Sequence, residues 1–297
     1  MIDKDFLNLL VSWRTTPQLR RPVMLAGFFG WSNAGCVSSD TLEYLHAVLQ
    51  PEVFASMSNE AFSNYTIDRP HARIENGVIL EMEILDTNFS YYRNPDGQHD
   101  LVLFLGKEPA YSWQSYSEMI IGVMEQLGVQ RFYTLGGVQD TVSHLSQPMV
   151  SVVAATSFMV SEICEASKII VPASYSGPIS IHSYLLRACS EAGIEAASLW
   201  GHAPAYLQKN PRVVARLVSI INTLTGLGIP TSHLDRQAIE LDRKIKEAVA
   251  KDPNLRKLVE AVDCVQEPGS FPSSRDKIIR LEDFLRRDAR HNDEEDC

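Results

Sequence analysis

Residues 175–206 decide the fold class, and they read YSGPISIHSYLLRACSEAGIEAASLWGHAPAY. The turn at Gly177-Pro178 precedes an amphipathic helix in which Ile181, Leu185 and Ala188 share one face. Gly193 ends this helix, a short buried strand follows, and a Gly/His/Pro/Tyr loop closes the unit. In open α/β sheets, loops at the carboxyl ends of strands are where ligands or partners bind.

The same alternation of strand and helix extends on both sides of this unit. Apolar runs predict strands at residues 22–29, 53–57, 101–105, 131–135 and 150–155, with the fourth broken at Gly136-Gly137. Helical patterns follow residue 35 and cover 113–127 and 211–224, the last beginning at Asn210-Pro211. Asn76-Gly77 predicts a two-residue hairpin that adds an antiparallel part. The pattern indicates an α/β fold with a mixed, mostly parallel sheet and helices on both faces.

The composition changes after residue 230, where charged helical segments replace the α/β pattern. Apolar stripes on these helices must cover either the body or a partner subunit. A last short helix is expected at 276–287, before an acidic tail at 293–296. We therefore expect a domain at 1–229 and a C-terminal helical extension with an acidic tail at 230–297.

Charge and cysteine usage limit the function classes. The net charge of −10 disfavours nucleic acid and anionic membranes as partners. Five scattered cysteines argue against a disulfide framework or a zinc site and favour a reducing cytoplasm. The sequence has no leader-like start and no apolar run near the ~20 residues that span a bilayer. We expect a cytoplasmic protein.

The turn at residues 30–35 tests two kinds of chemistry. Gly30 and Gly35 have the spacing of a phosphate-binding loop, but the lysine and hydroxyl that complete that motif are missing. Triphosphate binding is therefore disfavoured, although amides at the helix start could hold an anion. Ser32 lacks the second glycine of a hydrolase nucleophile elbow, so Ser32 or Asn33 is better interpreted as a helix cap.

The histidines show no metal-binding spacing, so we expect neither a metal nor another cofactor. His202 is the first choice for a general base because of its strand-end position, and His182 could lie near it. Asp140 and His202 could serve as the acid and the histidine of a Ser32 elbow, but any long chain offers such residues, and the sequence identifies no partner for His202. No catalytic residue is assigned.

Glycine loops and polar side chains converge on one predicted edge of the sheet, which supports a ligand-binding hypothesis. The candidate ligand-binding residues are Gly30, Trp31, Ser32, Asn33, Gly35, Gly106, Lys107, Gly136, Gly137, Tyr175, Gly177, Ser180, His202 and Tyr206.

Several segments in this order resemble one family. They are Gly30-Trp31-Ser32-Asn33-Ala34-Gly35, Gly106-Lys107-Glu108-Pro109, Thr134-Leu135-Gly136-Gly137 with the loop of His144 and Pro148, residues 175–206, and Ala250-Lys251-Asp252-Pro253-Asn254-Leu255. Over residues 20–263 the chain resembles the bacterial branch of the PAC2 family, the proteasome assembly chaperone 2-like proteins.

The resemblance implies a three-layer α/β/α sandwich similar to the phosphorylase/hydrolase-like fold, with a helical extension and self-association, trimers being expected. Some archaeal relatives dock on the proteasome through a C-terminal hydrophobic-Tyr-x tail, whereas this sequence ends in Glu295-Asp296-Cys297. The family supplies no catalytic residues to carry over.

Two functions follow from these observations. The first is a self-associating scaffold or assembly chaperone, without catalysis, that binds a protein client. The alternative is a protein or enzyme that binds a nucleotide, nucleoside or carboxylate at the strand ends.

Overall fold

The computed structural model describes residues 4–83 and 86–263. The strands are β1 Val11–Trp13, β2 Val23–Phe29, β3 Glu52–Ser58, β4 His71–Glu75, β5 Val78–Glu83, β6 Asp86–Tyr92, β7 Leu101–Lys107, β8 Arg131–Asp140, β9 Val150–Ala154, β10 Ile170–Pro172 and β11 Glu195–Pro204. The helices are α1 Lys4–Leu10, α2 Val37–Leu49, α3 Trp113–Leu127, α4 Ser157–Ala166, α5 Ile181–Ala192, α6 Pro211–Thr225, α7 Ser232–Lys251 and α8 Pro253–Asp263. The expected helix at 276–287 and the acidic tail lie outside the described residues.

Nine strands form one mixed sheet in the order β1-β3-β6-β7-β2-β8-β11-β9-β10. The four adjacent strands β7, β2, β8 and β11 are parallel, so their carboxyl ends meet at one edge. Strands β6 and β9 run antiparallel to this central group on its two sides. The structure confirms the predicted α/β fold with a mixed sheet.

Helices cover both faces of the sheet and bury two separate apolar clusters. Helices α1, α3 and α5 pack on one face, where Phe28, Phe104 and Ile120 are buried. Helices α2, α4 and α6 pack on the other, around Leu25 and Leu217. Because successive strand residues point to opposite faces, the central strands need apolar residues at nearly every position. The result is the three-layer α/β/α arrangement.

The reversed direction of β9 follows from the short connection that precedes it. Residues 141–149 join β8 to β9 without a helix. A parallel crossover requires a dozen or more residues, usually with a helix. Strand β9 therefore runs opposite to β8 and pairs antiparallel with β11.

Strands β8 and β11 both continue further than the sequence predicts. Gly136-Gly137 does not break β8, and Gly201 to Pro204 belong to β11 instead of a loop. The two strands stay paired from Arg131↔Glu195 to the last pair, Asp140↔Pro204. The glycines are tolerated because bulky groups of neighbouring segments approach the backbone there, as described below.

The predicted hairpin forms, but it stands apart from the main sheet. Asn76 and Gly77 both have positive φ, 50° and 80°, as a two-residue type I′ turn requires. Strands β4 and β5 pair only with each other among the described residues. The antiparallel part of the main sheet is instead formed by β1, β3, β6 and β9.

Helix ends follow the predicted capping chemistry. The Asn210 side chain accepts a hydrogen bond from Val213 N at 3.2 Å, with Pro211 at the first helical position of α6. Gly128 and Gly193 adopt the left-handed conformation after α3 and α5. Helix α4 is not among the helices expected from the sequence, although Thr156 caps it by accepting from Met159 N.

Helices α7 and α8 pack on the body through a third apolar cluster. In this cluster Tyr206 and Leu207, which follow β11, are buried with Ile245, Leu255 and Val259. The apolar stripe on these helices therefore covers the α/β body, at least at these positions.

Candidate functional site

The parallel strands β2, β7, β8 and β11 end at one edge of the sheet, and we call this edge, with the turns that follow the strands, the rim. The turn after β2 meets β8 directly: Gly137 N donates to Ser32 O at 2.8 Å, and Asn33 forms an isolated parallel bridge with Gly137. Segments that are far apart in sequence are thus joined at this edge. Gly106, Gly136 and Gly137 lie within strands and not in loops.

The glycines of the rim are filled by their neighbours. A Cβ on Gly137 would lie 2.2 Å from the Ala34 carbonyl oxygen, and one on Gly136 would lie 2.6 Å from the Trp200 ring. A Cβ on Gly35 would lie 2.6 Å from Ala203 Cβ. Three of the glycine positions therefore serve close approach of other segments, and no cradle for a ligand is left at these points.

The side chain of Asn33, and not that of Ser32, bonds the first turn of α2, although Cys36 holds the N-cap position of this helix. Asn33 Oδ1 accepts from Ser39 N at 3.0 Å, and its Nδ2 donates to Ser39 Oγ at 2.9 Å. Ser32 is buried, and its hydroxyl has no hydrogen-bond partner among the described residues. Neither predicted residue holds the N-cap position; the Asn33 side chain nevertheless satisfies one amide of the first turn of α2, and Ser32 satisfies none.

The end of β7 contributes a carboxylate to the start of α5. Glu108 Oε1 accepts from Ile181 N at 2.9 Å, so an internal carboxylate already occupies this helix terminus. A Cβ on Gly30 would lie 3.2 Å from the other Glu108 carboxylate oxygen. Lys107 reaches Asp68 at 3.8 Å, and Trp31 projects to solvent with 64% of its surface exposed.

Residues 173–180, which we call the strap, connect β10 to α5. Ala173 N donates to Val152 O on β9, whereas the residue after the strap is bonded to Glu108 beyond β7. In the sheet order, β11, β8 and β2 lie between these two anchor points, so the strap spans the width of three strands. Within it, the Tyr175 hydroxyl donates to Pro178 O at 2.9 Å, and a Cβ on Gly177 would lie 2.5 Å from that hydroxyl. Ser180, the last strap residue, is buried at the start of α5 but makes no side-chain cap.

His182, in the first turn of α5, takes part in a buried polar chain between this helix and the sheet. Its Nδ1 is 2.8 Å from Thr134 Oγ1, which is 2.5 Å from Ser198 Oγ. The ring packs against Trp200 and Phe28, with centroids 4.7 and 5.1 Å apart. Burial lowers the pKa of His182 to about 3, so the imidazole is neutral at physiological pH.

His202 has the acid partner that the sequence alone could not assign, and a hydroxyl as well. His202 Nδ1 is 2.7 Å from Asp140 Oδ2, and His202 Nε2 is 2.9 Å from Ser151 Oγ. Asp140 lies on β8, His202 on β11 and Ser151 on β9, and their exposed fractions are 3%, 5% and 4%. They project from the face of the sheet that carries Trp200 and α5, since side chains two residues apart on a strand share a face. His182 lies on that face as well, next to Trp200.

Tyr206 holds the loop between β8 and β9. Its hydroxyl accepts from His144 N at 2.9 Å and lies 2.7 Å from His144 Nδ1. The backbone and the ring of His144 thus converge on one tyrosine hydroxyl, which fixes the loop to the segment after β11. Loop residues 142–144 and 146–149 line, with His202 and others, a cavity of about 10 Å³, enough for about one water molecule.

The sequence does not mark Ser151 as a partner of His202, and it offers Asp140 only as a possible acid for Ser32. Ser151 is the only hydroxyl residue among the five residues of β9, but nothing in its local pattern marks it as a partner of a histidine 51 positions away. The contact depends on the antiparallel pairing of β9 with β11, where Ser151 faces Trp200.

The described residues contain no group of three or more His, Cys, Asp or Glu side chains placed to hold a metal ion. None of the helices in this part of the chain is long and apolar enough to cross a membrane. Charged and polar groups at the strand ends are instead bonded to one another, as in the Glu108 and Asp140 contacts.

Comparison with solved structures identifies bacterial proteins with the same fold. A PAC2 family protein from Streptomyces avermitilis is 27% identical, covers 76% of this chain and 95% of its own, and superposes with a TM-score of 0.68. A proteasome-assembly chaperone homologue from Mycobacterium tuberculosis is 28% identical, with coverages of 80% and 99% and a TM-score of 0.70. An archaeal proteasome activator from Pyrococcus furiosus shares the fold at 18% identity, with coverages of 80% and 97% and a TM-score of 0.67.

No curated protein matches the chain. The model of the PAC2 family, however, matches residues 27–249, which is about three quarters of the sequence and includes the whole rim. Together with the bacterial structures, this match places the chain in the PAC2 family, in its bacterial branch.

Proposed function

We propose that this protein is a self-associating, assembly-chaperone-type protein that acts by binding protein surfaces. The single observation that carries the proposal is the bare apolar face of the β4–β5 hairpin. Ile74 and Ile79 face each other across the hairpin and are 60% and 61% exposed, and Met82 beside them is 59% exposed. Exposed apolar surface of this kind is typical of interaction sites.

The two faces of the hairpin differ in chemistry. On the opposite face, Arg73 forms ion pairs with Glu75 and Glu81, which are the expected contacts of a solvated surface. An isolated two-stranded hairpin is marginally stable in water, so an uncovered apolar face would be a liability in a monomer. An amphipathic hairpin whose apolar face is uncovered is therefore suited to packing against a second copy of the chain.

The names of relatives support the same conclusion. The Mycobacterium tuberculosis relative is described as a proteasome-assembly chaperone homologue, and the Pyrococcus furiosus one as a proteasome activator. We propose that this chain likewise binds protein partners, and that its own assembly, a trimer, presents the client surface. The division into a domain at 1–229 and an extension at 230–297 belongs to this proposal, and limited proteolysis tests it.

Paired substitutions on the two faces test self-association. Completing the burial of an isoleucine that is about 60% exposed contributes roughly 1–2 kcal/mol. The double variant Ile74→Ser/Ile79→Ser should therefore weaken each interface by about 2–4 kcal/mol, or about 30- to 1,000-fold in Kd. The matched control Arg73→Ser/Glu81→Ser, on the charged face, should leave Kd nearly unchanged.

Sedimentation equilibrium of the full chain provides the measurement. The expected result is an oligomer for the wild type and the control, and dissociation only for the apolar-face variant. A wild-type protein that remains monomeric at about 100 µM, or equal behaviour of both variants, would refute self-association through this face.

The alternative function, small-molecule binding or catalysis at the strand ends, is favoured by one observation. Asp140, His202 and Ser151 form a hydrogen-bonded series there. The glycines and the small cavity provide no additional space for a nucleotide, so the alternative rests on this series alone.

A further inference from the structure

The hydrogen-bonded series Asp140–His202–Ser151 has the bonding order of an orienting acid, a base and a nucleophile. Asp140 accepts from His202 Nδ1–H at 2.7 Å, and this bond leaves Nε2 as an acceptor. The Ser151 hydroxyl, 2.9 Å from Nε2, therefore donates a hydrogen bond to His202. This is the tautomer that allows a histidine to remove a proton from a serine.

Asp140 is itself fixed in orientation. Its Oδ1 accepts from Thr141 N at 2.7 Å, while Oδ2 contacts the imidazole. Its backbone carbonyl accepts from Ala205 N at 3.1 Å. The carboxylate is thereby aimed at His202 from the last residue of β8, as a carboxylate that orients a base must be.

A purely structural role explains this arrangement less well. Backbone ladders already join β8 to β11 and β11 to β9, so the strands need no side-chain link. Burying a carboxylate and an imidazole costs desolvation free energy that apolar residues would not. The neighbouring pair Thr134–Ser198 shows that smaller polar groups can be satisfied on the same face.

Access to Ser151 depends on the strap. Residues 174–179 of the strap are all exposed, and the strap begins at Ala173, whose N–H donates to Val152 O, the residue after Ser151. Ser151 itself is only 4% exposed. A shift of the strap, which is anchored at the neighbouring Val152, would therefore open a route to the hydroxyl for a small acyl compound.

We propose that Ser151 is a nucleophile for acyl transfer from short-chain carboxylic esters, with His202 as its general base and Asp140 as the positioning residue. Ser151 Oγ forms a bond to the ester carbonyl carbon while its proton moves to His202 Nε2. The carbon–oxygen bond to the alcohol then breaks, and the alcohol leaves with that proton. Water next attacks the acyl-serine, gives a proton to His202, and releases the carboxylic acid as Ser151 regains its proton.

Labelling with a small fluorophosphonate tests the proposal on the full-length protein. The expected result is one adduct, located at Ser151 by peptide mass spectrometry, that Ser151→Ala abolishes. The variant Ser198→Ala removes an equally buried hydroxyl from the adjacent strand and should label at the wild-type rate.

The roles of the base and the positioning residue are measured as labelling rate constants. His202→Ala should lower the rate constant by at least about 100-fold, since general-base catalysis contributes about 10²–10⁴. Asp140→Asn preserves shape and should also lower it by at least about 100-fold while circular dichroism shows an intact fold. If His202→Ala does not fold, Asp140→Asn alone decides the question.

A strap variant separates a closed site from an absent one. Tyr175→Phe removes the hydrogen bond to Pro178 O and should increase the labelling rate. Hydrolysis of p-nitrophenyl acetate by the same variant should show a burst of one equivalent. No adduct at Ser151 in either wild type or Tyr175→Phe, or an adduct whose rate does not depend on His202 and Asp140, would overturn the proposal.

Discussion

Replacing Gly137 with alanine tests whether the rim glycines serve packing. The new Cβ would lie 2.2 Å from the Ala34 carbonyl oxygen and 2.9 Å from Val37 Cβ. The first contact is with backbone, so no side-chain rotation can relieve it. The turn after β2 has to move away from β8, and the hydrogen bond from Gly137 N to Ser32 O is lost or stretched.

The magnitude follows from these two effects. Overpacking a close-packed site costs about 1–3 kcal/mol, and a lost backbone hydrogen bond about 0.5–1.5 kcal/mol. The sum, roughly 2–4 kcal/mol, corresponds to a fall in Tm of about 4–16 °C for a domain of this size class. Urea unfolding should show a lower midpoint with an unchanged slope.

Gly228→Ala is the matched control for Gly137→Ala. A Cβ on Gly228 would have no neighbour within 4 Å, and its φ lies outside the left-handed region. Its Tm should stay at the wild-type value or rise slightly, because alanine restricts the unfolded chain. Equal Tm values for the two variants would show that the close approach of Ala34 to β8 does not exist.

Substitutions at three further positions test the capping contacts and the buried imidazole. Asn210→Ala should lower the free energy of unfolding by about 1 kcal/mol, because Val213 N loses its acceptor, whereas Asn210→Asp should retain the stability. Equal losses in the two variants would contradict a capping role of Asn210. Glu108→Ala should destabilise the protein by about 1–2 kcal/mol and Glu108→Gln by less, since glutamine still accepts from Ile181 N. Chemical denaturation distinguishes the two variants, and identical free energies of unfolding would count against the hydrogen bond from Ile181 N to Glu108. The pKa of His182 is lowered to about 3 in the folded state, so the unfolded chain takes up the proton first as the pH falls. The free energy of unfolding should therefore decrease below about pH 6.5 by up to ~1.4 kcal/mol per pH unit, and this slope should flatten near pH 3. The variant His182→Gln should reduce the slope, whereas an unchanged slope would show that another group is responsible.

The fold was predictable to the extent that it depends on local chemistry. Asn76-Gly77 can adopt the positive φ values of a type I′ turn, and the structure places the hairpin there. Gly128 and Asn210 end and begin helices for equally local reasons. The direction of β9 and the full length of β8 and β11 were missed, because they depend on pairing between segments that the sequence does not reveal.

The candidate site was predictable only in part, for the same reason. The strand-end position identified His202, whereas Asp140 was considered only as an acid for Ser32, and no partner of His202 could be assigned. Ser151 was missed because its proximity to His202 results from the antiparallel register of β9 on β11. The glycines were read as ligand loops, but their role depends on which neighbour approaches each backbone, such as Trp200 at Gly136.

The third apolar cluster has a consequence for how the chain matures on the ribosome. Tyr206, which holds the His144 loop, is buried with side chains that follow it by 39 to 53 residues, from Ile245 to Val259. The nine sheet strands are all synthesised before these helices emerge. The sheet can therefore form first, and the loop beside His202 becomes fully supported only when translation has passed α8.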